Sequence, residues 1–187
     1  MLATDPRAPD RAPPEDVVRA AFHELHGRRL HGFGLLLTLG DRRATSRLVG
    51  EALAAGVERA GHLRHPERAA AWLRARVVRD AGRVGVARHR VGDRTGLADL
   101  GADAAVVAGL AALDRRERAA VIASAIERLD ARDVSAIVDR DGRSLERLMQ
   151  QARARYVAAY DASADDDPPI DGPLAARLHE IAQRAMG

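Results

Sequence analysis

Arginine supplies most of the side chains with which this sequence could bind a charged partner. All 30 basic residues are arginines, because the sequence contains no lysine. A planar guanidinium group makes paired hydrogen bonds to a phosphate or a carboxylate, whereas an ammonium group acts as a point charge. Ten arginines and three acidic residues lie between Arg59 and Arg94, which gives this stretch a net charge of +7. This concentration of arginine predicts contact with the phosphate backbone of a nucleic acid.

The arginines predicted to lie along phosphates share one predicted helix with Trp72. They are Arg74, Arg76, Arg79 and Arg83. Few acidic residues lie near them in the sequence, so we expect DNA affinity to depend on them more than on the arginines after residue 140. Trp72 falls among apolar residues at helical spacing, which favours packing in the core over stacking on a base.

Residue types used in metal sites and catalysis are present without the spacing that such sites need. His23, Glu24 and His26 lie close together and His31 follows, but the second residue of a zinc-protease His-Glu pair is missing. The sequence has no Ser-His-Asp or Cys-His arrangement and no Gly-rich phosphate loop. It therefore predicts no metal, no cofactor and no enzymatic activity.

Composition predicts an all-α protein. The 187 residues allow one full domain or two small ones, which excludes large enzymes. Hydrophobic residues make up 47% and aromatic residues only 3%, so the core must consist of Ala, Leu and Val, which helices accommodate well. Cysteine is absent. No signal-peptide core and no run of about 18 apolar residues occurs, which predicts a cytoplasmic protein without a membrane partner.

The first half of the chain predicts a lead-in and a four-helix domain. Residues 1–14 hold four prolines among charges and are expected to be disordered. Residues 15–90 show four helical patterns: one from Glu15, one from Leu30 after a break at Gly27, one after the cap residue Asp41, and one from Pro66.

The second half predicts a linker and a helix-turn-helix domain. Residues 91–103 are rich in glycine and form the expected linker. In residues 104–160, Asp114 with Glu117 and Asp130 with Asp133 predict two capped helix starts. A short helix, a turn over residues 139–142 and a longer basic helix then follow, which is typical of a helix-turn-helix.

The tail, residues 161–187, contains six acidic residues and two arginines, which give it a net charge of −4. It begins with an acidic, proline-containing segment that we expect to be a flexible tether. Leu174, Leu178 and Ile181 then recur at helical spacing. We expect an amphipathic C-terminal helix that docks on one of the domains, brings the acidic tether near the arginines and weakens DNA binding.

Two segments resemble the sigma-70 factors of the extracytoplasmic-function group. FHELHGRRLHGFGLLLTLGDRRATSRLVGEAL and LRHPERAAAWLRARVVRD are similar to region 2 of that family, and LAALDRRERAAVIASAIERLDARDVSAIVDRDGRSLERLMQQARARY is similar to region 4. The resemblance covers residues 15–160. It implies two small helical domains, a region 2-like four-helix domain and a region 4-like helix-turn-helix domain. It further implies core RNA polymerase and promoter DNA as partners, and leaves an anti-sigma factor as a possible third partner.

The resemblance also assigns candidate residues to each partner. For the polymerase they are Leu48, Val49 and Glu51. For DNA they are Arg64, in the loop over residues 61–66, and a set on the last helix of the second domain: Arg143, Ser144, Arg147, Gln151 and Arg153.

Departures from the family pattern at Arg47, Gly50, Glu146 and Leu148 keep other functions open. The leading interpretation is a sigma-like transcription initiation factor. The first alternative is a divergent sigma-like regulator that keeps protein contacts but has lost promoter reading. The second is a dimeric helix-turn-helix repressor, against which the position of the motif near the C-terminus argues.

Overall fold

The structure of the chain is a computed structural model that describes residues 15–59, 65–83, 96–100 and 102–163. All regular elements in these ranges are helical, which confirms the all-α prediction. In order they are α1 (Glu15–Leu37), α2 (Arg42–Glu58), α3 (Pro66–Arg83), α4 (Gly96–Asp99), α5 (Ala104–Ala111), α6 (Arg115–Val121), a π-helical segment (Ile122–Ile126), α7 (Ala131–Val138) and α8 (Gly142–Ser163). The predicted lead-in, Arg64, most of the linker and the tail from residue 164 lie outside the described residues.

The predicted break at Gly27 is wrong, because α1 continues without interruption to Leu37. A glycine inside a helix costs only about 1 kcal/mol relative to alanine. Leu30, Phe33 and Leu36 follow on the same helix, and each is at most 2% exposed. Their burial outweighs the cost of the glycine, so the described part of residues 15–90 holds three helices instead of four.

Aspartate side chains start three of the predicted helices as expected. Asp41 accepts a hydrogen bond from the backbone N–H of Ala44 at 2.9 Å and begins α2. Asp114 and Glu117 form the predicted capping box of α6, each side chain accepting from the other's backbone N–H at 2.9 Å. Asp130 accepts a hydrogen bond from the backbone N–H of Asp133 at 2.8 Å and caps α7. These caps satisfy N–H groups that have no partner within the helix.

The C-terminal half of α8 packs against α5 and anchors the helix. Tyr156 of α8 is 1% exposed, and its ring lies on α5 at Gly109, where even a Cβ atom would collide with it. Ala152, one turn earlier, is also fully buried. The N-terminal half of α8 contributes only partly buried side chains to the core, so the first half of α8 is left largely open to solvent.

The two groups of helices, α1–α3 and α5–α8, pack directly against each other. Helix α3 contacts α7 and α6, and one continuous hydrophobic cluster includes buried residues of both groups. Leu97 of α4 is fully buried, and its N–H donates to the carbonyl of Leu39 at 3.2 Å. The division of the chain into two domains therefore stays a prediction, made from sequence alone.

A buried arginine also joins the two groups. The guanidinium of Arg118 donates to the carbonyl oxygens of Leu37 (2.7 Å), Leu110 (2.8 Å) and Leu113 (2.9 Å). Burial lowers the pKa of Arg118 to about 10. Carbonyl groups at and just after the C-terminal ends of α1 and α5 carry partial negative charge. They therefore stabilise the positive charge of Arg118 in place of a carboxylate.

None of the helices in the described ranges is both long enough and apolar enough to cross a membrane.

Candidate nucleic-acid interface

Helices α7 and α8 are joined by a tight turn of the kind predicted. Asp139 ends α7 in the left-handed conformation with φ of 55°, and Gly142 begins α8 with φ of 42°. The N–H of Arg140 donates back to the carbonyl of Ser135 at 3.2 Å, and that of Ser144 to the carbonyl of Asp141 at 2.9 Å. Backbone bonds therefore fix the turn and set the direction in which α8 leaves it.

The exposed face of α8 contains every residue that the sequence predicted there. Arg143, Arg147 and Gln151 follow one another at four-residue spacing, so they line one side of the helix. All three are exposed, as are Ser144 and Arg153. Gln150 is exposed beside them and was missed, although its three-residue spacing from Arg147 was a usable signal. We call the set Arg143, Ser144, Arg147, Gln150, Gln151 the α8 face.

The charge on the α8 face is mixed. Glu146 is exposed between its two arginines. Within the part of the chain that the structure describes, neither Arg143 nor Arg147 forms an ion pair with a carboxylate. Both guanidinium groups are therefore available for an external partner. Further along α8, Arg155 donates to Glu117 at 3.1 Å, which ties the helix to the start of α6.

The prediction that Arg74 contacts phosphate is wrong for this structure. Arg74 is 5% exposed. Its Nε and Nη2 atoms donate to the two carboxylate oxygens of Glu127 at 2.6 and 2.5 Å, and Nη1 donates to the carbonyl of Ala70 at 2.9 Å. The guanidinium also lies 5.7 Å from the centre of the Phe33 ring. Each of its three nitrogen atoms donates a hydrogen bond inside the protein and the side chain is buried, so a phosphate has no access.

The other arginines of α3 share one acidic residue. The carboxylate of Asp80, itself largely buried, accepts from Arg76 at 2.5 Å and from Arg83 at 3.1 Å, and lies 3.9 Å from Arg79. The expectation that few acidic residues lie near these arginines is therefore wrong for Arg74, Arg76 and Arg83, each of which bonds to a carboxylate. The side chains of Arg79 and Arg83 remain 55% and 71% exposed.

Trp72 packs partly against the core, as predicted, and the guanidinium of Arg59 lies 5.7 Å from the centre of its ring. Arg59 and the core leave this indole poorly placed to stack on a base.

Two of the three residues assigned to polymerase binding are inside the protein. Leu48 is fully buried and Val49 is 5% exposed, because both lie on the side of α2 that packs against α1. Buried side chains cannot meet a partner without rearrangement, so this assignment is corrected for both residues. Glu51 is exposed. Beside it, Val49, Gly50 and Leu53 line a groove of about 430 Å³ between α1 and α2, with His23 and His31 at its α1 side.

Two hydrogen-bonded contacts between residues far apart in the chain could not be predicted from the sequence. Glu127 stands 53 residues from Arg74, and Arg118 stands 81 residues from Leu37. The sequence suggests only a metal or general-base role for His26, whereas in the structure it is a buried residue whose ring centre lies 4.7 Å from that of Phe22. No group of three potential metal-binding side chains occurs among the described residues.

The chain matches no protein-family model, no curated protein and no solved structure. The exposed α8 face is therefore the feature of the structure from which a function can be proposed.

Proposed function

We propose that the chain binds promoter DNA through the α8 face and acts with core RNA polymerase as a sigma-like transcription initiation factor. The observation that carries the proposal is the exposed row Arg143, Arg147, Gln151 on the helix that follows the tight α7–α8 turn. In helix-turn-helix proteins, the second helix of the pair enters the major groove with its N-terminal residues toward the bases. The N-terminal half of α8 is also the half that contributes only partly buried side chains to the core.

The side chains of the α8 face suit a major groove chemically. Arginine can donate two hydrogen bonds to guanine, and glutamine pairs in the same manner with adenine. Ser144 can donate to a phosphate or a base edge, and Glu146 can accept from the amino group of cytosine. In this proposal Glu146 contributes base selectivity at some cost in affinity for the negatively charged backbone.

Core RNA polymerase is the proposed protein partner, and the exposed side of α2 is the proposed contact. Glu51 keeps its candidate role, whereas Leu48 and Val49 support it from the core. An anti-sigma factor remains a further proposed partner, from the resemblance alone.

A specific observation favours the first alternative, a regulator that keeps protein contacts without reading promoters. Arg74 is locked in an ion pair and α3 packs on α7, so part of the basic stretch in the first half is not available to DNA.

Fluorescence anisotropy with labelled duplex from upstream of the coding sequence tests DNA binding. The double variant Arg143→Ala, Arg147→Ala should lose about tenfold or more in affinity and reduce the salt slope by about two. The matched control is Arg42→Ala, Arg43→Ala, an exposed pair in the first turn of α2. Equal losses in both double variants would contradict a groove-reading role for α8.

In vitro transcription with purified core polymerase separates the two sigma-like interpretations. A sigma-like initiator yields transcript from this DNA, and the α8 double variant yields much less. A protein that associates with core polymerase but gives no transcript supports the regulator instead.

A further inference from the structure

A cavity of about 320 Å³ lies where α3, α6 and α7 meet. Val78 of α3 and Ile137 of α7 give it an apolar wall. Its volume is at the lower end of the range for small-molecule sites, which is roughly 300 to 1,000 Å³. The cavity therefore has room for a compact ligand in contact with both groups of helices.

Among the residues that the structure describes, three arginines and one carboxylate line this cavity. Arg79 comes from α3, Arg115 and Arg116 come from α6, and Asp139 ends α7. Across the described ranges, Arg115 and Arg116 form no ion pair with a carboxylate, and the ion-pair contact of Arg79 with Asp80 is a long one, 3.9 Å. The cavity thus holds an excess of positive charge that the surrounding side chains do not neutralise.

Arg115 is held in an unfavourable position. Its Nε atom is buried without a hydrogen-bond partner. Its guanidinium lies against α3 at Gly82, where a Cβ atom would overlap it. Burial lowers the pKa of Arg115 and the neighbouring positive charge of Arg116 lowers it further, whereas the carboxylate of Asp114 raises it. A buried donor without a partner is unfavourable, and an anion in the cavity that Arg115 lines would offset its positive charge.

We propose that this cavity binds a small phosphorylated molecule, whose phosphate group is held by Arg79, Arg115 and Arg116. Phosphate fits because guanidinium groups donate to it in pairs and because its charge matches the excess of arginines. A bound phosphate would touch α3, α6 and the end of α7, so it would also strengthen the packing between the two groups of helices. The proposal does not depend on DNA binding by α8.

Isothermal titration of the full chain with inorganic pyrophosphate, at ionic strength balanced with sodium chloride, tests the proposal. We expect saturable one-to-one binding that weakens by about tenfold or more in Arg115→Gln and in Arg116→Gln. The control Arg43→Gln makes the same change of charge on α2, outside the cavity, and should change the affinity by less than about twofold. Circular dichroism melts establish that each variant is folded.

A cavity-filling variant keeps the test valid if an arginine variant fails to fold. Ala136 is exposed and lines the cavity from α7, so Ala136→Phe should block pyrophosphate without altering the charge. The proposal is overturned if wild type shows no saturable binding, if Arg43→Gln loses as much affinity as Arg115→Gln, or if folded Ala136→Phe binds normally.

A second titration distinguishes a free phosphate ester from a phosphate of the DNA backbone. Duplex DNA is measured by anisotropy with wild type and Arg115→Gln. Unchanged DNA affinity together with lost pyrophosphate binding supports the proposal. Lost DNA affinity in a protein that never binds pyrophosphate assigns the cavity to DNA and overturns it, whatever the α8 variants show.

Discussion

Two buried arginines keep their charge in different ways. Arg74 is paired with both oxygens of Glu127, whereas Arg118 is surrounded by three backbone carbonyls. Neither arrangement follows from residue type, because the same side chain on an exposed helix face would bind water or phosphate. Burial thus decides which arginines of this chain can reach a ligand, and it removes these two from that set.

His26 should make stability depend on pH. Its pKa is lowered from the ordinary value of 6.5, first by burial and second by the positive charge of Arg74. The unfolded chain therefore takes up a proton at pH values where the folded chain does not, and stability falls as the pH drops below 6.5. Urea denaturation at neutral and at mildly acidic pH measures the free energy of unfolding. Its decrease on acidification should be smaller for His26→Gln than for wild type.

The control for this experiment is His23→Gln, which changes an exposed histidine on the same helix. It should keep the pH dependence of wild type. If acidification lowers the free energy of unfolding equally in wild type, His23→Gln and His26→Gln, other titratable groups cause the pH dependence.

At the scale of helices, the packing of α8 on α5 requires a glycine. Gly109→Ala would place a methyl group in the ring of Tyr156, and overpacking of this kind costs typically 1–3 kcal/mol. Gly50→Ala is the matched control, because a Cβ there meets no atom within 4 Å. Alanine favours the helical state, so Gly50→Ala should be neutral or gain roughly 0.5–1 kcal/mol. Chemical denaturation of both variants measures the difference, and equal effects would exclude the Tyr156 contact as the cause.

Local patterns predicted the helices better than the contacts between them. The starts at Asp41, Asp114 and Asp130 follow from side chains that bond to N–H groups three residues away, so the sequence displays them directly. The exposed α8 face follows from helical spacing in the same manner. The burial of Arg74 depends on a residue 53 positions away, and no periodicity reports such a pairing. Because Arg74 and Arg76 are paired with carboxylates, we expect the α8 arginines to contribute more to DNA affinity than these two, whereas Arg79 stays largely exposed.

For the whole molecule, the shared hydrophobic cluster predicts cooperative unfolding. Trp72, the only tryptophan, lies on α3 and reports the first group of helices, whereas far-ultraviolet circular dichroism reports all helices. Because α3 packs on α6 and α7, both signals should change at the same urea concentration. A fluorescence transition that clearly precedes the dichroism transition would contradict this and would favour two domains that unfold independently.

The π-helical segment has a consequence for tolerance to insertions and deletions. In this segment the N–H of Glu127 donates to the carbonyl of Ile122, five residues back, at 3.0 Å. A π turn holds one residue more than an α turn, so removing one residue within Ile122–Ile126 would convert it to an α turn and leave the flanking residues at nearly the same angle about the helix axis. Glu127 would still face Arg74, and the buried cation would keep its counter-ion. The chain should therefore tolerate the loss of one residue in this segment better than a single deletion within α7, which would rotate the residues that follow by about 100°.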